Sequence, residues 1–529
     1  MPAERNRLLT AAALATACLT AALSAPAAAT PNIETWQTAS GAEVLYAHAP
    51  DLPMVDVRIA FDAGSARDGG QPGLASMTAN MLTEGAGGLD ADTIAERVET
   101  VGAELGTGAD RDMAYASLRS LTEPDTLGTA VEILTKVLAA PDFPPEDLER
   151  VRANTLVGLR QQEQKPGSVA SRALYQAVYG DHPYATDPDG NRDSVAAIER
   201  DDLVDFHERY YTAANATVAI VGAVDRAQAQ VLAEVLTAGL PEGAPPPPLP
   251  PVADLARGAV ERIAFPSSQT HLYMGQPGMR RGDPDYFALY VGNHILGGSG
   301  LVSILMDEVR EQRGLSYSAY SYFAPMAQRG PMIMGLQTKN AQVDEARQVM
   351  LDTLKRFVEQ GPTAEELTAA VKNITGGFPL RIASNAKIVQ YLSLIGFYDL
   401  PLDYLDRFTE RVRAVTAEQI RAAYRRRVHP ERLAVVMVGG DADGAAEPVA
   451  ATKAGAGTAG SGAAMPDAAT PDPATPGAAS PDPATPGTAS PDAAAPEPMA
   501  PRSTASSPQA KVAPVPAGIG PAPAAGGEG

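Results

Sequence analysis

The chain is 529 residues long, 45% hydrophobic, and carries a formal net charge of −21 at pH 7. That length exceeds one ordinary domain and the apolar content suffices for a large core. So acidic a balance argues against nucleic acid as a partner, since a phosphate backbone requires a basic face, and gives no reason to bind anionic lipid.

Residues 1–29 read as a secretory signal. Arg5 and Arg7 supply the positive start, Leu8 to Leu23 the apolar core, and Ala27-Ala28-Ala29 the small residues of a cleavage site. The apolar core is short of the roughly 20 residues that a membrane-spanning helix takes, which favours a cleaved signal over an anchor and a chain with no membrane span. The only cysteine, Cys18, lies in this segment. Lipid attachment there is the lesser alternative, because Ala15-Thr16-Ala17 lacks the usual leucine three residues before the cysteine. The mature chain then has no thiol for a disulfide or a metal, and its expected location is a bacterial periplasm.

Residues 30–240 are expected to form a first α+β domain. Strands are predicted over 33–38, 44–49 and 55–61, helices over 72–83 and 91–101, strands over 103–108 and 113–118, and helices over 124–139 and 145–163. A helix over 201–211 leads into a buried strand over 216–222. The run Pro245 to Pro248 can continue neither a helix nor a ladder, so 241–252 reads as an extended linker. Residues 253–440 repeat the same pattern as a second domain. Strands are predicted over 262–264 and 269–274, helices over 284–296 and 303–312, and strands over 317–323 and 330–338. A helix over 416–428, opened by a Thr416/Gln419 capping box, leads into a strand over 433–439. The endings Val221-Gly222 and Val438-Gly439 mark the two domains as copies, each a mainly antiparallel sheet packed with helices. Residues 441–529 are rich in Ala, Pro, Thr and Ser and contain a repeated decapeptide from Thr470 and again from Ser480. This tail has nothing to bury and is expected to be a disordered spacer; attachment to cell-wall material or another protein is the alternative.

The chemistry-bearing residues are sparse. The histidines are His48, His182, His207, His271, His294 and His429, and no two have the i, i+4 spacing of a zinc-peptidase helix. There is no G-x-S-x-G elbow and no phosphate loop of the Walker type. Gly297-Gly298-Ser299-Gly300 reads as a tight turn into a helix rather than a phosphate cradle.

The most distinctive stretch runs from Ile295 to Tyr320, ILGGSGLVSILMDEVREQRGLSYSAY. Gly64-Ser65-Ala66-Arg67, Gly73-Leu74-Ala75, His182-Pro183-Tyr184 with Gly190, Phe206, Tyr210-Tyr211, Asn215 and Leu400-Pro401-Leu402-Asp403-Tyr404 accompany it. Together these resemble the pitrilysin (insulinase) family of zinc peptidases, in its mitochondrial-processing-peptidase-like subgroup, over about residues 32–440. The resemblance implies two homologous metallopeptidase-like domains. Active members carry H-x-x-E-H after the Gly-Leu-Ala; here those positions read Ser76-Met77-Thr78-Ala79-Asn80. The family's third ligand falls near Leu156. The resemblance therefore implies no metal or other cofactor in this chain, with zinc held by a partner subunit. It further implies that Arg310 and Tyr317 are the surviving half of the active site, one holding the peptide and the other stabilising the oxyanion. The expected function is that of a zinc-less subunit in a periplasmic metallopeptidase heterodimer acting on peptides; the alternative is a non-catalytic peptide-binding or assembly module.

Overall fold

The computed structural model describes residues 30–440, which belong to one compact unit. The predicted signal with Cys18 and the predicted tail lie outside the described residues.

The first half is built on a six-stranded sheet. Its strands are β1 (Glu34–Gln37), β2 (Glu43–His48), β3 (Met54–Phe61), β4 (Glu104–Ala109), β5 (Ala114–Leu121) and β6 (Ala216–Gly222). The spatial order is β1-β2-β6-β3-β5-β4. The β2–β6 pair is parallel and the other pairs are antiparallel. Every residue of β6 is buried, as an apolar run covered on both faces should be. The helices are α1 (Leu74–Met81), α2 (Ala91–Thr100), α3 (Pro124–Ala139), α4 (Pro145–Glu163), α5 (Pro166–Tyr179), α6 (Arg192–Ala197), α7 (Arg200–Tyr210) and α8 (Arg226–Thr237). Helices α3, α4 and α5 each begin with proline, whose fixed φ suits the first turn and whose missing N–H would have had no partner there. Alternate residues Val55, Val57, Ile59 and Phe61 of β3 join Ile133 and Val137 of α3 and Phe206 of α7 in one core.

The second half has a five-stranded sheet: β7 (Ala259–Ile263), β8 (Gln269–Pro277), β9 (Ala319–Phe323), β10 (Pro331–Lys339) and β11 (Ala434–Val438), in spatial order β9-β10-β8-β11-β7. Here β11–β7 is the parallel pair. From that edge, β7-β11-β8-β10-β9 repeats the roles of β2-β6-β3-β5-β4, with the parallel pair in the same place. The two Val-Gly endings are equivalent in space as well. A Cβ on Gly222 would lie 2.3 Å from the Met54 carbonyl oxygen, and one on Gly439 2.5 Å from that of Gln269. At both strand ends the backbones cross too closely for a side chain.

Helix α9 (Tyr286–Asn293) passes into a π-helical turn at His294–Gly298, and the short helix Ile304–Met306 into another at Asp307–Glu311. The helices expected over 284–296 and 303–312 are therefore irregular toward their ends. α10 (Val343–Gln360), α11 (Ala364–Arg381), α12 (Asn385–Phe397), α13 (Tyr404–Arg413) and α14 (Ala417–Arg427) complete the half. The capping box forms: Thr416 Oγ1 accepts the Gln419 N–H at 3.2 Å and Gln419 Oε1 accepts the Thr416 N–H at 2.9 Å.

Each sheet is covered by a helix from the other half. α5 lies on β8 and β11, and its Leu174 and Val178 share a cluster with Tyr273, Ile333 and Val436. α12 lies on β3 and β6, and its Tyr391, Leu394 and Ile395 share a core with Leu45, Ala47, Ala219 and Val221. Residues 241–258 have no helix or strand, as the prolines dictate. The segment is nonetheless packed down, with Leu249 and Val252 buried in the cluster of Tyr175 and Tyr184. Among the described residues no helix is long and apolar enough to cross a membrane.

Candidate functional site

Helix α1 starts under the control of a buried carboxylate. Asp68 Oδ2 accepts the Gly73 N–H at 2.7 Å and Oδ1 accepts the Ala75 N–H at 2.8 Å, satisfying two of the donors a helix start leaves open. Burial pushes the Asp68 carboxyl up to about 7, against the pull of these two bonds.

Ser76, Met77 and Asn80 of α1 face Thr155, Gly158, Leu159 and Gln162 of α4 across a pocket of about 190 Å³, with Asp189 on its wall. Ser76 and Asn80 stand one helical turn apart on the same face. Most of the polar groups are already engaged. The Ser76 hydroxyl donates to the Pro188 carbonyl at 2.9 Å, and the Thr155 hydroxyl donates to the Val151 carbonyl at 2.9 Å and lies 3.6 Å from Met77 Sδ. Gln162 Nε2 donates to Asp189 Oδ2 at 3.0 Å, while its Oε1 accepts from Arg172 at 3.0 Å.

A zinc ion needs three or four imidazole, thiolate or carboxylate donors. This pocket offers one carboxylate, two carboxamides and two hydroxyls. Among the described residues, no three His, Cys, Asp or Glu side chains converge on a point that could hold a metal. The residues present do not fit zinc. The position on α4 that faces α1 is Thr155 rather than Leu156, which packs against the first core.

Arg310 and Tyr317 stand together. The Arg310 guanidinium carbon lies 4.6 Å from the Tyr317 ring centroid, within cation–π range. Arg310 Nε is 3.4 Å from Glu311 Oε1, and Tyr317 is 68% exposed. Arg310 sits in the π-helical turn Asp307–Glu311. Tyr317 was expected at the start of a strand but precedes β9. The Ser316 hydroxyl accepts the Ser318 N–H at 3.2 Å and donates to the Gln337 carbonyl at 2.6 Å, which folds the chain at 316–318 and leaves the tyrosine off the ladder. Neither residue lines the α1–α4 pocket. The site as a whole is thus two separate parts: a pocket with one carboxylate and no imidazole or thiolate, and a cation–phenol pair whose tyrosine is exposed. Sequence reasoning missed Asp68, Gln162 and Asp189. For Asp68 a signal existed, an acidic residue just ahead of the Gly-Leu-Ala helix start; Gln162 and Asp189 meet only through the fold.

Comparison with known proteins identifies the lineage. The profile described as Insulinase (Peptidase family M16) matches residues 43–187, and the one described as Peptidase M16 inactive domain matches residues 197–374. The crystal structure of a peptidase M16 inactive domain from Pseudomonas fluorescens is 41% identical, covers 77% of this chain and 98% of its own, and superposes with a TM-score of 0.75. An uncharacterized zinc protease of Streptomyces coelicolor is 28% identical over 65% of this chain and 76% of its own length. The non-peptidase homolog YmxG of Helicobacter pylori is 27% identical over 71% of this chain and 87% of its own length. With both domains matched in order, the chain belongs to the pitrilysin (insulinase, M16) peptidase family.

Proposed function

We propose that this chain is an exported subunit of a peptidase that holds no catalytic metal of its own and acts with a zinc-bearing sister chain. The observation that carries this reading is the donor set of the α1–α4 pocket, in which hydroxyls and carboxamides stand where metal ligands would be needed. Relatives of nearly equal similarity carry both names, zinc protease and non-peptidase homolog, and the donor set of this pocket supports reading the present chain with the latter. Arg310 and Tyr317 supply what such a chain can still contribute. An exposed phenol O–H stabilises charge developing on a carbonyl oxygen under attack. The guanidinium holds a carboxylate or the peptide backbone with several fixed donors. The edge strand β4, half-exposed and beside α1, offers main-chain hydrogen bonds to an extended peptide. The signal-like sequence of residues 1–29 supports export to the periplasm.

The purified chain is expected to retain no zinc after dialysis and to cleave no peptide. Mixing it with a family member that carries H-x-x-E-H is expected to produce activity, and Tyr317→Phe to lower the turnover of that mixture at least about tenfold. Tightly held stoichiometric zinc in the isolated chain would sink the proposal. A mixture indifferent to Tyr317→Phe would favour the alternative, a non-catalytic peptide-binding or assembly module.

A further inference from the structure

The turn between β4 and β5 carries a second polar cluster, none of whose members lines the α1–α4 pocket. Asp112 is 3% exposed. Its Oδ1 accepts the Tyr184 hydroxyl at 2.5 Å, and its Oδ2 accepts the Ala327 N–H at 2.7 Å and the Tyr398 hydroxyl at 2.9 Å. The Tyr184 oxygen in turn accepts the Gln328 N–H at 3.0 Å. Asp112 and Tyr184 come from the first half of the chain; Ala327, Gln328 and Tyr398 come from the second. The neighbouring Arg111 guanidinium carbon sits 3.7 Å from the ring centroid of Tyr175, on the α5 helix that covers the second sheet.

The proline-rich segment is tied down beside this cluster by both halves in alternation. The Pro247 carbonyl accepts from Arg67 at 2.8 Å, that of Leu249 from Gln328 Nε2 at 3.2 Å, that of Pro250 from His182 Nε2 at 2.9 Å, and that of Val252 from Arg329 at 2.8 Å. Arg67 and His182 belong to the first half, Gln328 and Arg329 to the second. Gln328 serves both networks, its N–H bonding Tyr184 and its side chain the strap.

We infer that Asp112 and the strap at 247–252 lock the two halves of this chain at one fixed angle, so that the proline-rich segment is a clamp and not a hinge. Opening the halves would leave a buried carboxylate without two of its three donors, since only Tyr184 moves with it, and two backbone N–H groups without acceptors. Such stranded groups are costly, which is why a fully connected polar network specifies one arrangement. One consequence rests on the subunit reading above: peptides enter where the two subunits part, not between the halves of this chain. The lock itself does not depend on that reading.

Hydrogen exchange on the full chain tests it. The Ala327 and Gln328 amides are expected to exchange as slowly as those of the central strands β8 and β11, through global unfolding alone. Asp112→Asn keeps the side chain's size but replaces one acceptor oxygen with a donor, and is expected to speed exchange at Ala327 at least about tenfold, with β3 unchanged. If both amides of the unmodified protein exchange at the rate of an exposed loop while β8 stays protected, the lock does not exist, whether or not the variant folds. An Asp112→Asn protein that folds and protects both amides as before would equally overturn the role of Asp112. An inactive mixture with a zinc-bearing sister would defeat the subunit reading and leave these exchange rates untouched.

Discussion

Asp68 shows what the start of α1 costs. Its two accepted N–H bonds favour the ionised carboxylate, but burial outweighs them and raises the group from 3.8 to about 7. Because the folded-state value lies above the unfolded one, the stability linked to this group is complete below about pH 3.8 and is lost as pH rises to about 7. Asp68→Asn does not titrate. Its deficit against the unmodified protein, read from urea midpoints, is therefore expected to be widest near pH 4 and narrowest near pH 7; a gap that widens with pH would contradict this. The residues of the neighbouring pocket differ in how legible they were. Ser76 and Asn80 could be read because a motif fixes their spacing on one helix face. The third-ligand position was read only as near Leu156, and which residue there faces α1 needed the fold: a helix turns about 100° per residue, so one step carries the side chain from pocket (Thr155) to core (Leu156). Arg310 and Tyr317 were named from motif position alone, and only the fold brings the guanidinium over the ring.

At the level of elements, some regular segments were readable, but the helices α5, α6, α8 and α10 to α13 were not among those expected, and the irregular stretches were misjudged. α3 and α4 match their expected limits because a proline opens each and fixes its first turn. The stretch from His294 to Tyr317 resisted because two π-helical turns and the bonds of Ser316 depart from any simple period. A strand over 55–61 was expected, but nothing in the sequence showed that one of its faces lies in the first core while the other is covered by α12, some three hundred residues away in the chain. That cover is close enough to test. A Cβ on Gly396 of α12 would lie 2.5 Å from both Leu45 Cδ1 and Thr217 Cγ2 of the first sheet. Gly396→Ala is expected to cost about 1–3 kcal/mol through overpacking, seen as a lower urea midpoint at unchanged m-value. Gly376 in α11 is the control, since an added Cβ there meets nothing within 4 Å. Gly376→Ala is expected to be neutral or to stabilise by up to about 1 kcal/mol. Equal effects at the two positions would mean that α12 does not press on the first sheet.

On the scale of the molecule, the duplicated topology and the exchanged helices pull in opposite directions. Two sheets with separate strand sets suggest two folding units, and the proline-rich segment between them looks like a boundary. Yet α5 completes the second sheet and α12 completes the first, so neither half can close its own core. Removing either helix from its sheet would expose residues such as Leu45, Ala219, Ile333 and Val436, all now buried, and the loss of that burial couples the halves through the hydrophobic effect. The described unit is therefore expected to unfold in one calorimetric transition with agreeing calorimetric and van't Hoff enthalpies. Two resolved transitions would mean that the exchanged helices do not couple the halves. Asp112→Asn refines the result. It breaks part of the polar lock but leaves both helices in place, so it should lower the midpoint without splitting the transition. A split in that variant alone would assign the coupling to the buried carboxylate and its partners rather than to the helices.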